Sequence, residues 1–413
     1  MTRRVGITGL GAVTPAGVGL KAFWQALRDG VSGIDTATLF DPSPYPCRVA
    51  AEVKDFQPRD FMSPKAAVTM GRFARFGVAA ARMAYEDAGL AAVPAARRFA
   101  VCFGSSTTAV VELQQSYEEF LEDGTRRLSP SIMLESAGHA VTAHVSIELG
   151  LQGQTMSLTS ACSTGIDAVQ WAYQQVRHGH VPGVVAGATD APLSAYTQAA
   201  FCALGVLSRW PGAPAEALRP FDAMSSGLVL GEGAGAFVLE DLEQAEARGA
   251  RVYAEVLGFG AASESVNLRQ VDPAGAALRA AIERALRMAR IDPSEIDYIC
   301  AHGNGLPDYD RAETAAYREA FGRQAYNIPI SSIKPLTGQS LSAPSALQVV
   351  AAGFALEEQF APATLNHDVP DPACDLDYVP RRGRPARVNH LLVAAHAMGG
   401  SHSVLVLGRA GGR

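Results

Sequence analysis

Three residues suited to chemistry, a thiol, an imidazole and an amine, each follow a short apolar run. Cys162 lies in Met156-Ser157-Leu158-Thr159-Ser160-Ala161-Cys162-Ser163-Thr164-Gly165-Ile166. The run before it reads as a buried strand. After it Ile166, Val169, Tyr173 and Val176 recur at helical period, so a helix opens at or just past the thiol. The positive end of a helix dipole favours thiolate over thiol. The small neighbours let a substrate approach the sulfur, and a thiolate is the most nucleophilic side chain near neutral pH. His302 follows an apolar run at 297–301, and Lys334 follows another at 328–332. Each has a bland alternative: a packed structural cysteine, a satisfied core histidine, a surface amine.

The chain can build a scaffold for these groups. Its 413 residues are 48% hydrophobic and 18% charged, the composition of a soluble globular protein with ample core. A net charge of −6 gives no basic field for nucleic acid. Six scattered cysteines without a CxxC argue against a zinc or redox cluster and predict free thiols in a reducing cytoplasm. The histidines show no HExxH-like spacing, so no catalytic metal is expected. No signal-peptide pattern opens the chain. The longest uncharged stretch, near 337–356, carries Gly, Gln, Ser and Pro and does not read as a membrane span.

Apolar runs at 5–10, 98–104, 183–187, 227–239, 252–258, 297–301, 328–332, 391–395 and 404–407 predict strands. Helical stripes predict helices over 63–89, 114–128, 136–149, 278–289 and 341–356. The alternation predicts an α/β protein with largely parallel sheets, whose ligands sit outside the carboxyl ends of strands. Gly9-Leu10-Gly11-Ala12-Val13-Thr14-Pro15 imitates a dinucleotide fingerprint. Its sixth position is Thr14, however, and Pro15 follows, so a tight structural turn is the better reading. Gly231, Gly233 and Gly235 predict close backbone approach. The proline-containing 209–220 reads as an exposed excursion.

Six ordered motifs span nearly the whole chain. They are Val5-Gly6-Ile7-Thr8-Gly9-Leu10-Gly11-Ala12-Val13-Thr14-Pro15, Ser160-Ala161-Cys162-Ser163-Thr164-Gly165, Arg219-Pro220-Phe221-Asp222, Gly231-Glu232-Gly233-Ala234-Gly235, Ala301-His302-Gly303-Asn304-Gly305 and Ser331-Ser332-Ile333-Lys334. On these the chain resembles the elongating β-ketoacyl-acyl-carrier-protein synthases. The resemblance implies an α/β, thiolase-like fold with duplicated βαβαβαββ halves in a five-layered αβαβα arrangement. Residues 1–253 would carry the nucleophile, and 254–413 the histidine and lysine. It implies a homodimer, or a heterodimer with a ketosynthase-like subunit. Acyl carrier protein would be the partner, with no nucleic acid or membrane and no cofactor beyond the carrier's phosphopantetheine. The implied reaction is decarboxylative Claisen condensation of a Cys-bound acyl group with malonyl-acyl-carrier protein, in fatty acid or type II polyketide biosynthesis.

Carried over by position, Cys162 matches the nucleophile and His302 the first histidine. Lys334 matches the supporting lysine, and Glu313 the carboxylate that steadies it. The backbone N–H groups of Cys162 and Met398 match the oxyanion hole. Ala109, Val110, Met133 and Phe201 match acyl-pocket positions, some reaching across a dimer interface. Lys65 and Arg209 match basic carrier-docking positions. An imidazole N–H aimed at the enolate oxygen stabilises it without reorganisation.

The chain departs from the pattern in three places. The family's second histidine is replaced by Gln339, whose amide can donate a hydrogen bond but cannot shuttle a proton. Phe-Gly-Phe-Gly-Gly becomes His396-Ala397-Met398-Gly399-Gly400. The gating aromatic is now the flexible Met398, and His396 is a candidate for the missing donor, against a histidine turned to solvent or a carbonyl. The loop 304–313 lacks two threonines, and its Asp310-Arg311-Ala312-Glu313 ending resembles the chain-length factors. Two alternatives therefore stand beside condensation: non-elongating acyl transfer through the same cysteine, and a non-catalytic chain-length-factor-like partner.

Overall fold

The computed structural model describes residues 3–411. Ten strands cross one mixed sheet. In spatial order they are Ile330–Ser331, Tyr298–Cys300, His390–Ala397, Ser401–Gly408, Ala254–Ser263, Val5–Thr14, Gly233–Asp241, Gly183–Asp190, Ala100–Gly104 and Thr155–Leu158. Gly17–Val18 pairs beside Val5–Thr14 as an eleventh. This order is a duplication. In each half the first strand lies at the middle, and the fifth, fourth, second and third follow outward. The two first strands join the halves antiparallel.

The expectation of largely parallel sheets needs correction. Helical crossovers link the second, third and fourth strands of each half, and these pair in parallel. The fifth strand runs antiparallel to the fourth and the first: a tight turn reverses the chain in the second half, and a longer connection carrying the Ala195–Leu204 helix returns it in the first.

Helices form three layers about the two halves of this sheet. Arg72–Asp87 and Ala140–Leu149 cover the first half, and Ala276–Ala289 and Pro307–Phe321 cover the second. Thr164–Arg177 and Ala343–Glu358 lie between the halves. Ala343–Glu358 is apolar nearly all round, as a helix enclosed on every side must be. The result is the αβαβα layering expected. No helix among the described residues is long and apolar enough to cross a membrane.

Several local expectations change. The helix over 63–89 is two, Pro64–Thr69 and Arg72–Asp87. The break at Met70-Gly71 holds because the Glu135 and Glu112 carboxylates accept the Gly71 and Arg72 N–H groups. Gly9 and Gly11 belong to the strand rather than a turn. A Cβ at Gly11 would sit 2.0 Å from the Ala80 carbonyl oxygen of the helix packed on it. The strand before Cys162, Thr155–Leu158, is an edge strand and not fully buried. In the 209–220 excursion Ala217, Leu218 and Arg219 are buried.

The nucleophile helix and its counterpart touch backbone to backbone. A Cβ at Gly165 would lie 2.1 Å from the Ala346 nitrogen. Gly165→Ala is expected to cost about 3 kcal/mol, the upper end for overpacking. The urea midpoint should fall at unchanged m-value; a midpoint matching the parent would refute the close contact.

Candidate active site

Cys162 lies in the 3-10 turn Ala161–Ser163, which runs into the Thr164–Arg177 helix. Ala161 is held at φ 49°, a left-handed conformation that costs a non-glycine residue energy. The turn leaves the thiol nearly buried at the helix N-terminus. Burial pushes it up to about 11, while the Lys334 charge and the Gln339 amide draw it down. The helix end does not win here: desolvation of the charged sulfur outweighs it. The resting site holds a thiol that must lose its proton to react.

Gln339 is fixed by its backbone. Its N–H donates to Val229 O and its carbonyl accepts from Gly231 N–H, so it enters the site as an extension of the 229–231 segment. Its Nε2 donates to Cys162 Sγ at 2.9 Å. Its buried Oε1 has no partner.

His302 and Lys334 are both fully buried, which excludes a surface amine for Lys334. Lys334 Nζ donates to the His302 carbonyl and lies 3.3 Å from His302 Nδ1. That contact makes Nδ1 the acceptor and leaves Nε2 as the N–H. Nε2 is buried and unpartnered. Burial holds the His302 imidazole well below its usual range, and the Lys334 charge adds to this. Burial also pulls Lys334 down to about 8, against the nearby Cys162 and Glu313.

Glu313 favours the Lys334 ammonium through space. It makes no ion pair with Lys334 within 4 Å. Its oxygens accept the His302 and Gly303 N–H groups at 2.7 and 2.8 Å and the Tyr317 hydroxyl at 2.6 Å. Burial alone would raise it, but His396, Tyr317 and the backbone donors hold it below the ordinary carboxylate range. Asp310 accepts from Phe221, Asn304 and Gly305 N–H, so it shapes the loop carrying His302.

Cys162, Gln339, His396 and Met398 line one cavity of about 230 Å³ with Ser106, Ala161, Phe201, Leu228, Asn304 and Leu341. Met398 also lines a wider vestibule of about 1030 Å³ beside Arg269 and Arg311. Of the acyl-pocket positions only Phe201 reaches this cavity. Ala109 is buried in the outer core, Val110 is half-buried, and Met133 is 72% exposed on its own chain. Lys65 and Arg209 are exposed and outside both cavities.

Sequence reasoning missed Asp190. It accepts from Ser105 Oγ, Ser106 N–H, both donors of Thr107, and Ser342 N–H. It thereby ties the cavity wall at Ser106 to the head of the Ala343–Glu358 helix. The Ser105-Ser106-Thr107-Thr108 run after a buried strand was the available signal. The Arg219–Asp222 motif is structural: Asp222 binds Arg219 and the N–H groups of Met224, Asp368 and Val369.

Two duplicated halves meeting at a buried thiol define a thiolase-fold protein. The chain matches the family model "Beta-ketoacyl synthase, N-terminal domain" over residues 2–245 and "Beta-ketoacyl synthase, C-terminal domain" over 253–368. It is 39% identical to "Putative polyketide beta-ketoacyl synthase 1" of Streptomyces cyaneus, over 100% of both chains. It is 36% identical to 3-oxoacyl-(acyl-carrier-protein) synthase 2 of Coxiella burnetii, over 98% of this chain and 99% of that one. The solved structure "The ishigamide ketosynthase/chain length factor" superposes with a TM-score of 0.92 at 34% identity, covering 100% of each chain. The chain belongs to the beta-ketoacyl synthase family.

Proposed function

We propose that this chain is a ketosynthase with a Cys-His-Gln site, condensing an acyl group on Cys162 with malonyl-acyl-carrier protein. The observation that carries the reading is the Gln339 amide 2.9 Å from Cys162 Sγ at the wall of an open cavity. In this reading Cys162 Sγ attacks the acyl thioester, its carbonyl oxygen held by the backbone N–H groups of Cys162 and Met398. The malonyl thioester then enters through the vestibule past Met398. As carbon dioxide leaves, His302 Nε2–H and the Gln339 amide donate to the enolate oxygen. The enolate carbon attacks the acyl carbonyl, and the Cys162 thiolate departs. Lys334 keeps the His302 proton on Nε2 throughout.

The same reading divides the chain into a nucleophile-bearing half, 1–253, and a His- and Lys-bearing half, 254–413. It assigns the acyl pocket to Phe201, with Met133 serving a partner subunit, since Met133 is exposed here. The partner is a second copy or a ketosynthase-like subunit. A chain length factor in the name of one structural neighbour supports the heterodimer. Six free cysteines support a cytoplasmic setting. Lys65 and Arg209, both exposed, remain the proposed docking points for an acidic carrier.

Acyl transfer without elongation is the second reading, because Gln339 cannot carry a proton. Acyl-carrier protein followed by malonyl-carrier protein distinguishes them by intact-mass and product analysis. Condensation gives acyl-Cys162 and then a product two carbons longer. A lasting acyl-enzyme with no longer product overturns condensation, and no labelling overturns both.

A further inference from the structure

We propose that His396 is the proton carrier of this site, taking the Cys162 proton as the acyl group arrives and handing it to the departing carrier thiolate. This deepens the ketosynthase reading and rests on it. The site has a thiol, and acylation needs somewhere for its proton to go. Gln339 cannot take it. His302 has Nδ1 committed to Lys334 at 3.3 Å, so a second proton there would face an ammonium. His402 is absent from the cavity wall, and its Nε2 is already paired with Glu264 at 2.8 Å. Burial pulls His402 down to about 3.

His396 differs from each of these. It lines the same cavity as Cys162 and Gln339. It is only 2% exposed, yet neither ring nitrogen completes a hydrogen bond. Its Nε2 lies 3.4 Å from the Glu313 carboxylate, so an imidazolium there is charge-balanced on arrival. Nδ1 is then the free nitrogen. The surrounding groups are known: His302, with ring centroids 4.1 Å apart; Tyr309, stacked at 5.6 Å; and His402 across the strand pair at 5.6 Å. Lys334 lies behind His302 and Glu264 behind His402. Among the described residues Glu313 is the carboxylate within ion-pair distance of the ring, and its oxygens also accept backbone N–H groups and the Tyr317 hydroxyl.

The step balances without a further reactant. The Cys162 S–H bond breaks and an N–H bond forms at His396 Nδ1. Sulfur bonds to the acyl carbon as that carbon's bond to the carrier sulfur breaks. The imidazolium gives its proton to the carrier thiolate and is neutral again.

The test is single-turnover acylation of the full-length protein by hexanoyl-pantetheine, followed by quenched intact-mass analysis. His396→Gln keeps a hydrogen-bonding amide but no titratable nitrogen. It should acylate ~100-fold more slowly at neutral pH, the lower range for general base catalysis. Its rate should climb about tenfold per pH unit toward the thiol's own ionisation, where the parent's levels off. A variant within about threefold of the parent, or sharing its pH profile, overturns the proposal. His396→Phe repeats the test should the amide misfold. Iodoacetamide alkylation of Cys162 decides without an acyl donor. A rate that falls at neutral pH in His396→Gln supports the proposal, and equal rates in parent and variant overturn it. A parent that alkylates faster than the variant yet never acylates overturns the ketosynthase reading alone.

Discussion

Cys162→Ser is expected to give a folded protein that accepts no acyl group and makes no condensation product. The hydroxyl fits the space, so the melting temperature should move little. Acylation, however, should fall at least ~1000-fold, as it does when a covalent nucleophile is lost. The reason is local. The site compensates even a thiol weakly, burial leaving it near 11, and an alcohol ionises far less readily. Decarboxylation of malonyl-carrier protein should behave differently. In the proposed mechanism its enolate oxygen is held by His302 and Gln339, not by sulfur, so carbon dioxide release should persist within about tenfold of the parent. His302→Ala should reverse the pattern, sparing acylation and costing ~100- to 1000-fold in carbon dioxide release, the usual loss for one oxyanion donor. Acyl label surviving in Cys162→Ser on another residue would refute the assignment. The remaining five cysteines offer poor substitutes, since Cys47, Cys102, Cys300 and Cys374 are buried and neither they nor the half-buried Cys202 lines the cavity.

How much of this was legible in the sequence depended on the range of the interaction. Cys162 at the mouth of a helix is a local pattern, and the turn Ala161–Ser163 into Thr164–Arg177 follows it. Gln339 at the position of a histidine is likewise visible in one dimension, and it meets Cys162 in three. Charge states were not legible. The dipole argument for a thiolate is sound within one turn of helix, but desolvation is set by strands of the second half and a second helix that no window around Cys162 contains. Glu313 shows the same limit. The resemblance offers it as the carboxylate that steadies Lys334, which it does from beyond ion-pair distance, and nothing in the motif showed that its oxygens are filled by N–H groups at 302 and 303 and by Tyr317. Strand direction failed for a related reason: alternation of apolar runs shows where strands are, not whether the chain returns by a crossover or a reversal.

Lys334→Met should produce an inactive enzyme that is no less stable than its parent. Lys334 is fully buried, and its pull from 10.5 to about 8 corresponds to about 3 kcal/mol of ammonium burial. Replacing such a group by an apolar side chain of similar length often stabilises a protein. Against this stands the orphaned His302 carbonyl, at about 1–3 kcal/mol. The net at neutral pH is therefore between no change and a gain of about 2 kcal/mol. The pH dependence gives the sign. Between about 8 and 10.5 the unfolded chain holds a proton on Lys334 that the folded chain releases. The parent should thus gain stability as pH rises through that window, and below it the burial cost is fully present. Lys334→Met should lack the rise. Activity should fall at least ~100-fold, because two charge effects vanish together. His302 Nδ1 loses the donor that keeps the proton on Nε2, and the Cys162 thiol loses the nearest positive charge and moves further up. Urea midpoints across that pH window, with acylation rates alongside, separate the two claims. A destabilised variant with normal rates would mean that Lys334 serves the fold and not the chemistry.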